Sequence, residues 1–226
     1  MFRLISLEYR KNKISNYIRN AIIMTVIVLL LLFMVSGELI SDNISFTDKN
    51  MLSVSIDIFT NMVYVVFTGT MLASFIVSGY KNKTINLMFS YPIKRKQILL
   101  SQILSVWIFN TIALILSKIL IYVFFTISKK YTGIGFEGIL SSLNFYIEIL
   151  ITSSIMISMS FVALFIGIYM KSSKATIISS VILVCLTQGN VGTFTLKDNI
   201  YFYIGIIIFS IISILMIFNN IETKDI

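Results

Sequence analysis

Long apolar runs separated by short polar and charged stretches dominate the pattern of this chain. A helix that crosses the hydrocarbon core of a bilayer needs about 20 consecutive apolar residues. The pattern predicts six such helices, over residues 20–40, 56–78, 98–127, 143–170, 175–194 and 200–218. The fifth is the weakest, because its apolar core stops at Leu186 and a polar stretch, 187–190, follows. We expect this segment to be short, broken or re-entrant.

The composition places the chain in the membrane class. Hydrophobic residues make up 57% and charged residues 12% of the chain, and the mean hydropathy is +0.94. Soluble domains carry about 25% charged residues. We therefore predict an all-α integral membrane protein, with one transmembrane domain over residues 1–226. The net charge of +8 could suit nucleic acid, but the charges flank apolar runs, which favours the anionic inner leaflet and no nucleic-acid partner.

Lysine and arginine set the orientation of a membrane protein, because they stay on the cytoplasmic side. With a cytoplasmic N-terminus, the predicted inner segments hold 13 of these residues and the outer segments 4, while Lys118 lies within a span. This bias predicts a multi-pass protein of the cell membrane. Both termini are expected to be cytoplasmic, provided that the fifth segment crosses.

The first residues, 1–13, predict an interfacial helix. Phe2, Ile5 and Tyr9 fall near one helical face, whereas Arg10 and Lys13 fall elsewhere. A basic amphipathic helix of this kind lies on the inner leaflet. The alternative is a frayed basic tail.

The segment between the second and third predicted spans, 79–97, is the most distinctive part of the chain. Lys81 and Lys83 come first, then an apolar stretch over 85–89, then Pro92, the only proline. Because the residue before a proline disfavours helical geometry, we expect a short amphipathic helix that ends before Pro92. The plain alternative is an ordinary positively charged cytoplasmic loop.

This block resembles the type-2 permeases of ATP-binding-cassette exporters, whose second span ends in a pattern like E-x-x-x-G-T-(x)-apolar-L-(x)-x-P-I-S/K-R. The matching positions are Thr84, Leu87, Pro92, Ile93 and Arg95. Gly79, Lys83 and Gln102 depart from the pattern, since they replace an acidic residue, a glycine and a lysine. The departures affect charge contacts rather than the shape of the loop. The six-span layout and the basic N-terminal helix are also similar, so the resemblance covers essentially the whole chain.

The resemblance implies that residues 1–13 form an elbow helix and residues 82–89 a coupling helix, which docks on a separate ATPase subunit. The implied ATPase-coupling residues are Asn82, Thr84, Ile85, Leu87, Met88, Phe89, Pro92 and Arg95. It also implies a pump of two permeases, the second being a copy or a paralogue, and two ATPases that hold the ATP and Mg²⁺. Relatives of this small size often export antimicrobial peptides or confer resistance to them, so we expect a hydrophobic or amphipathic substrate.

We do not expect this chain to catalyse a reaction itself. No G-x-x-x-x-G-K-S/T phosphate loop is present in the sequence, so the chain lacks that means of holding ATP. Histidine is absent from the sequence and Cys185 is the only cysteine, which leaves no Cys/His metal site. We expect no catalytic residue, metal or cofactor on this subunit.

Few ionisable residues fall within the predicted spans. A charge at mid-bilayer costs about 2.5–3.5 kcal/mol, so such groups pair, snorkel or face a cavity. Lys118 and Glu148 lie in the outer halves of neighbouring spans, and Asp57 lies near an outer end. The open readings are a Lys118–Glu148 pair, or a Lys118 that snorkels to the outer headgroups.

Small polar residues recur in the second span. Thr70, Ser74 and Ser78 fall four residues apart, on one helical face. They could line a substrate path or serve plain helix packing.

Two other functions compete with an exporter subunit. A stand-alone secondary transporter or channel needs carboxylates within its spans for ion coupling, and Glu148 is the one candidate. An intramembrane enzyme needs a nucleophile with its base, or a pair of acids, and no such constellation is evident in the spans.

Overall fold

The computed structural model describes residues 2–40, 46–81, 95–128, 136, 140–188 and 200–223. The regular structure in these ranges is helical. The helices are α1 (Phe2–Lys11), α2 (Ile14–Ile40), α3 (Phe46–Leu72), α4 (Arg95–Ile127), α5 (Leu143–Tyr169), α6 (Ser173–Gln188) and α7 (Ile200–Thr223). A π-helical segment, Ala73–Val77, extends α3 into a last α-helical turn, Ser78–Lys81.

Five helices in the described part of the chain are long and apolar enough to cross a membrane. Their spanning segments are Ile14–Ser36, Leu52–Tyr80, Lys96–Ile127, Leu143–Tyr169 and Tyr201–Asn219. The six-span prediction is therefore not confirmed, because α6 has 16 residues. Such a helix reaches about 24 Å, which is shorter than a hydrocarbon core of about 30 Å. The described helix reaches Gln188, and residues 189–194 of the predicted span lie outside the described ranges.

The core lies where α3, α4 and α5 pack against one another. Tyr64 and Met71 of α3 meet Val106 and Leu114 of α4 and Ile157 and Leu164 of α5 in one buried cluster. Hydrogen bonds join neighbouring helices: Trp107 Nε1 donates to Ser158 Oγ at 3.0 Å, and the hydroxyls of Thr25 and Tyr64 lie 2.9 Å apart. Such contacts matter in a bilayer, where lipid is as apolar as the helices and close packing replaces the hydrophobic effect.

Two glycines allow α6 to pack tightly between α3 and α5. A Cβ on Gly69 would overlap Ser180 Oγ, and a Cβ on Gly167 would overlap Thr176 Oγ1. Ser160 and Ala163, which fall seven and four residues before Gly167 on α5, are fully buried. Small residues therefore serve helix packing on α5.

The helices α2 and α7 lie at the periphery of the bundle and expose apolar side chains. Met34 is 77% and Phe209 66% exposed. A fully apolar outer surface is what a lipid environment requires of a helix. These faces fit the acyl chains of the bilayer.

Candidate functional site

The N-terminal helix α1 is bonded to the start of α4, the helix that follows the 79–97 segment. Tyr9 Oη donates a hydrogen bond to the backbone oxygen of Ser105 at 2.8 Å, and Gln102 Nε2 donates to Glu8 Oε1 at 3.2 Å. Partial burial raises the pKa of the Tyr9 phenol above its ordinary value, so this hydroxyl stays protonated and can donate. The structure has a helix over Phe2–Lys11 within the segment 1–13, and the role of that segment as an interfacial helix on the inner leaflet stays a prediction.

Glu8 organises this contact, and the sequence reasoning did not single it out. Its side chain is buried, and Asn12 Nδ2 donates to its Oε2 at 3.2 Å, while Lys11 Nζ lies 3.7 Å from the same oxygen. A signal was available, because Glu8 is the only acidic residue before Glu38. Gln102, one of the positions that depart from the permease pattern, is the neutral donor that meets this carboxylate.

The cytoplasmic end of α3, by the predicted topology, has an unusual backbone. The π-helical segment Ala73–Val77 lies directly before the 79–97 segment. Single π-helical turns within α-helices are often found at functional sites. Tyr17 of α2 covers this turn: its hydroxyl donates to Ser74 Oγ at 2.9 Å, and its ring meets Phe75 edge-on at 5.2 Å.

Two of the three polar candidates for a substrate path, Thr70 and Ser74, make contacts of different kinds. Thr70 Oγ1 donates to the Phe67 carbonyl of its own helix at 2.7 Å and is partly buried. Ser74 is exposed and bonded to Tyr17. Ser74 thus joins two helices, and the path role of either residue stays a prediction.

Most of the predicted ATPase-coupling residues lie outside the described ranges. They are Asn82, Thr84, Ile85, Leu87, Met88, Phe89 and Pro92. Arg95 is the first residue of α4. The structure therefore locates the two helices that carry the segment, and the coupling role of these residues stays a prediction.

Lys118 is buried deep in the bundle, with 1% of its side chain exposed, and its Nζ lies 2.9 Å from Asp57 Oδ1. This ion pair joins α4 to α3. Burial of the ammonium contradicts the snorkelling alternative. The suggested partner, Glu148, is instead exposed on α5, where it lines an open groove with Asn144 and Thr152. The sequence-based pairing and the assignment of Glu148 as a buried charge are therefore wrong, because this face of α5 points away from the core.

Residues that could hold a metal do not cluster in the described ranges: no group of three or more Asp, Glu or Cys side chains comes together there. The features that stand out in the described ranges are contacts between helices. At one end, Glu8 and Tyr9 tie α1 to α4 and Tyr17 ties α2 to α3; towards the other, Asp57 ties α3 to Lys118 of α4. Both helices that carry the 79–97 segment are thus fastened to neighbours.

Comparison with known proteins identifies the kind of molecule. Residues 4–187, from α1 to the end of α6, match the family described as "ABC-2 family transporter protein". The chain belongs to this family. This ABC-2 protein is also similar to YcbO of Bacillus subtilis (strain 168), described as an uncharacterized protein, with 31% identity over 232 residues that cover 98% of this chain and 99% of YcbO. No solved structure matches it.

Family membership confirms the resemblance that was drawn from the 79–97 segment. An ABC-2 protein is the membrane subunit of an ATP-binding-cassette transporter, and is a transport subunit rather than an enzyme. It follows that this ABC-2 permease is a multi-pass membrane protein whose partner is an ATP-binding-cassette ATPase.

Proposed function

We propose that this ABC-2 permease exports a hydrophobic or amphipathic substrate from the cell, driven by ATP that a separate subunit binds with Mg²⁺ and hydrolyses. The observation that carries the proposal is the family match over residues 4–187. Two permeases, identical or paralogous, would work with two ATPases. An antimicrobial peptide is the substrate class that we favour, in a role of immunity or resistance.

Force would enter through residues 82–89. Closure of the ATPases would push this segment, which lies in the connection between the last α-helical turn of α3, Ser78–Lys81, and the start of α4 at Arg95. Gln102 and Ser105 bond α4 to α1, and Ser74 bonds the π-helical turn to Tyr17 of α2. A push on the segment would therefore move α1 and α2 together with α3 and α4.

The charge distribution of the described core supports an uncharged or amphipathic cargo better than a small ion. Asp57 neutralises Lys118, and Glu148 lies on an exposed face of α5. A coupling site for ions or protons needs carboxylates that face one another or a cavity within the spans. We therefore favour an ATP-driven permease over a stand-alone transporter.

Within the coupling segment, Ile85, Leu87, Met88 and Phe89 would fill a hydrophobic groove of the ATPase, as amphipathic helices do. Phe89 would be the main anchor, because large aromatic side chains dominate such contacts. Phe89→Ala should cost about 2 kcal/mol, or roughly a 30-fold loss of affinity for the ATPase. The variant should insert in the membrane normally, because the change lies outside the spans.

The measurement is co-purification of the ATPase with the tagged permease, together with the ATPase rate of the complex. Tyr169→Ala is a matched control, because Tyr169 is an aromatic residue, 75% exposed, at the end of α5 on the same predicted side. It should leave both readouts unchanged. Unchanged co-purification and rate in Phe89→Ala and in Leu87→Ala would remove residues 82–89 from the coupling role.

A further inference from the structure

The junction between α1 and α2 forms an open groove of about 480 Å³. It is lined by Ser6, Tyr9, Arg10, Lys13, Ile14, Ser15 and Asn16. A water molecule occupies about 30 Å³ in the liquid, so the groove has room for a much larger polar group. Arg10 and Lys13 are exposed, as are Ser6, Ser15 and Asn16 around them. The groove thus combines a mainly apolar lining with two exposed cations and several hydrogen-bond donors.

Glu8, the acidic residue of α1, does not neutralise the positive charge of this groove. Glu8 turns the other way, towards α4, where its carboxylate is buried and bonded to Gln102. Lys11, which lies near Glu8, is not part of the groove lining. The first residues of α2, Ile14, Ser15 and Asn16, also line the groove, and the N-terminal turn of a helix carries partial positive charge. An anion is the ligand that these groups match.

Lys13 adopts a backbone conformation that normally belongs to glycine. Its φ angle is 48°, in the left-handed region, at the turn between α1 and α2. Glycine is the usual residue at such positions because it has no Cβ to strain the backbone. Lys171, with φ 47°, has the same conformation at the turn between α5 and α6 and is not in the groove lining.

The expected position of the groove relative to the membrane favours a lipid over a free anion. The apolar helix α2 begins at Ile14, which is itself part of the lining, so the predicted topology places Arg10 and Lys13 in the cytoplasmic headgroup region, before the span predicted over residues 20–40. The cytoplasmic leaflet is rich in anionic lipids, and basic residues next to a spanning helix attract them. We propose that the α1–α2 groove binds the phosphate-bearing headgroup of an anionic phospholipid of the cytoplasmic leaflet. Arg10 and Lys13 pair with the phosphate, and Ser15 and Asn16 donate hydrogen bonds.

A bound lipid would hold α1 in place from the side opposite α4. The contacts of Glu8 with Gln102 and of Tyr9 with Ser105 fasten the inner face of α1. The headgroup would fasten the outer face to the first turn of α2. The lipid should therefore stabilise the folded protein, since any ligand of the native state does so.

The test is thermal unfolding of the full chain in micelles that contain either phosphatidylglycerol or phosphatidylcholine with the same acyl chains. Phosphatidylglycerol should raise the midpoint of the wild-type protein. Lys13→Gly should raise the midpoint in phosphatidylcholine, because it relieves the backbone, yet it should lose at least half of the phosphatidylglycerol increment. Lys171→Gly, the matched control, should gain the same relief and keep the full increment. Arg10→Gln should lose the phosphatidylglycerol increment, and its midpoint in phosphatidylcholine should not rise, because this change relieves no backbone strain.

Three results would overturn the proposal. An increment that survives in an Arg10→Gln/Lys13→Gly double variant would place the lipid elsewhere. Equal losses in Lys13→Gly and Lys171→Gly would indicate general surface charge. The same increment from inorganic phosphate in phosphatidylcholine micelles would indicate a free anion. Native mass spectrometry gives an independent readout, in which the wild-type protein should retain one more phosphatidylglycerol than the double variant.

Discussion

A lysine and an aspartate that meet inside a helical bundle remove much of the cost that either charge alone would bring into a bilayer. Lys118 is almost completely enclosed, and Asp57, 25% exposed, reaches its ammonium from the next helix. Loss of one partner from a buried pair is far more damaging than loss of both, because an uncompensated charge stays behind. The pair therefore ties α3 to α4 strongly only while both members are present.

A double-mutant cycle at Lys118 and Asp57 tests the interaction between these two side chains. Asp57→Asn should lower the stability by about 3 kcal/mol, because it leaves the lysine charged and buried. Adding Lys118→Met should recover most of that loss. Thermal unfolding and the yield of folded protein are the readouts, and Glu148→Gln, at an exposed carboxylate, should change neither. Losses that simply add in the double variant would show that the two side chains do not interact.

The partner of Lys118 shows what the sequence could not determine at the residue scale. The sequence shows that Lys118 needs a partner or an exit, but not which carboxylate it meets. Asp57 and Glu148 both lie in outer portions of spans, and only the rotation of α3 and α5 about their axes decides between them. Hydrophobic periodicity determines that rotation poorly in helices that are apolar on every side.

At the scale of helices, close backbone contacts hold α6 in the bundle. Gly167 of α5 leaves room for Thr176 of α6 and faces Val77 of the π-helical segment, while Gly69 of α3 leaves room for Ser180. In lipid, contacts of this kind replace hydrophobic burial as the source of helix association. They also place α6 beside the turn of α3 that leads into the coupling segment.

Gly167→Ala should therefore destabilise the protein by about 1–3 kcal/mol, the usual cost of overpacking, because the new methyl group overlaps Thr176 Oγ1. Gly205→Ala is the matched control on α7, where a Cβ meets nothing within 4 Å. It should stabilise α7 by up to about 1 kcal/mol through helix propensity. Thermal unfolding of both variants in one detergent gives the comparison. Equal shifts in the two variants would contradict tight packing between α5 and α6.

The helices themselves were largely predictable, and their ends were not. Apolar runs of spanning length located α2, α3, α4, α5 and α7, because composition alone distinguishes such segments from the rest of the chain. The fifth segment was correctly recognised as weak, since the described helix there, α6, has 16 residues. The π-helical turn at Ala73–Val77 has no sequence signal that we can name.

At the scale of the whole molecule, the contacts near Glu8, Tyr17 and the π-helical turn surround the two helices that carry the 79–97 segment. The short motif of that segment predicted the family, and the match over residues 4–187 confirmed it. The Glu8–Gln102 contact could not be predicted, because it joins residues 94 positions apart. As an ABC-2 permease the chain is one part of a pump, and we expect its work to depend on an ATPase subunit.

Purification of the tagged chain from its native membrane in a mild detergent tests that dependence most directly. We expect an ATP-binding-cassette ATPase to be retained in equimolar amount, and ATP hydrolysis by the preparation to require that subunit. Quantitative mass spectrometry of the purified complex supplies the ratio. A folded permease that carries no such ATPase, and that moves solutes across liposome membranes without ATP, would contradict the dependence on a partner.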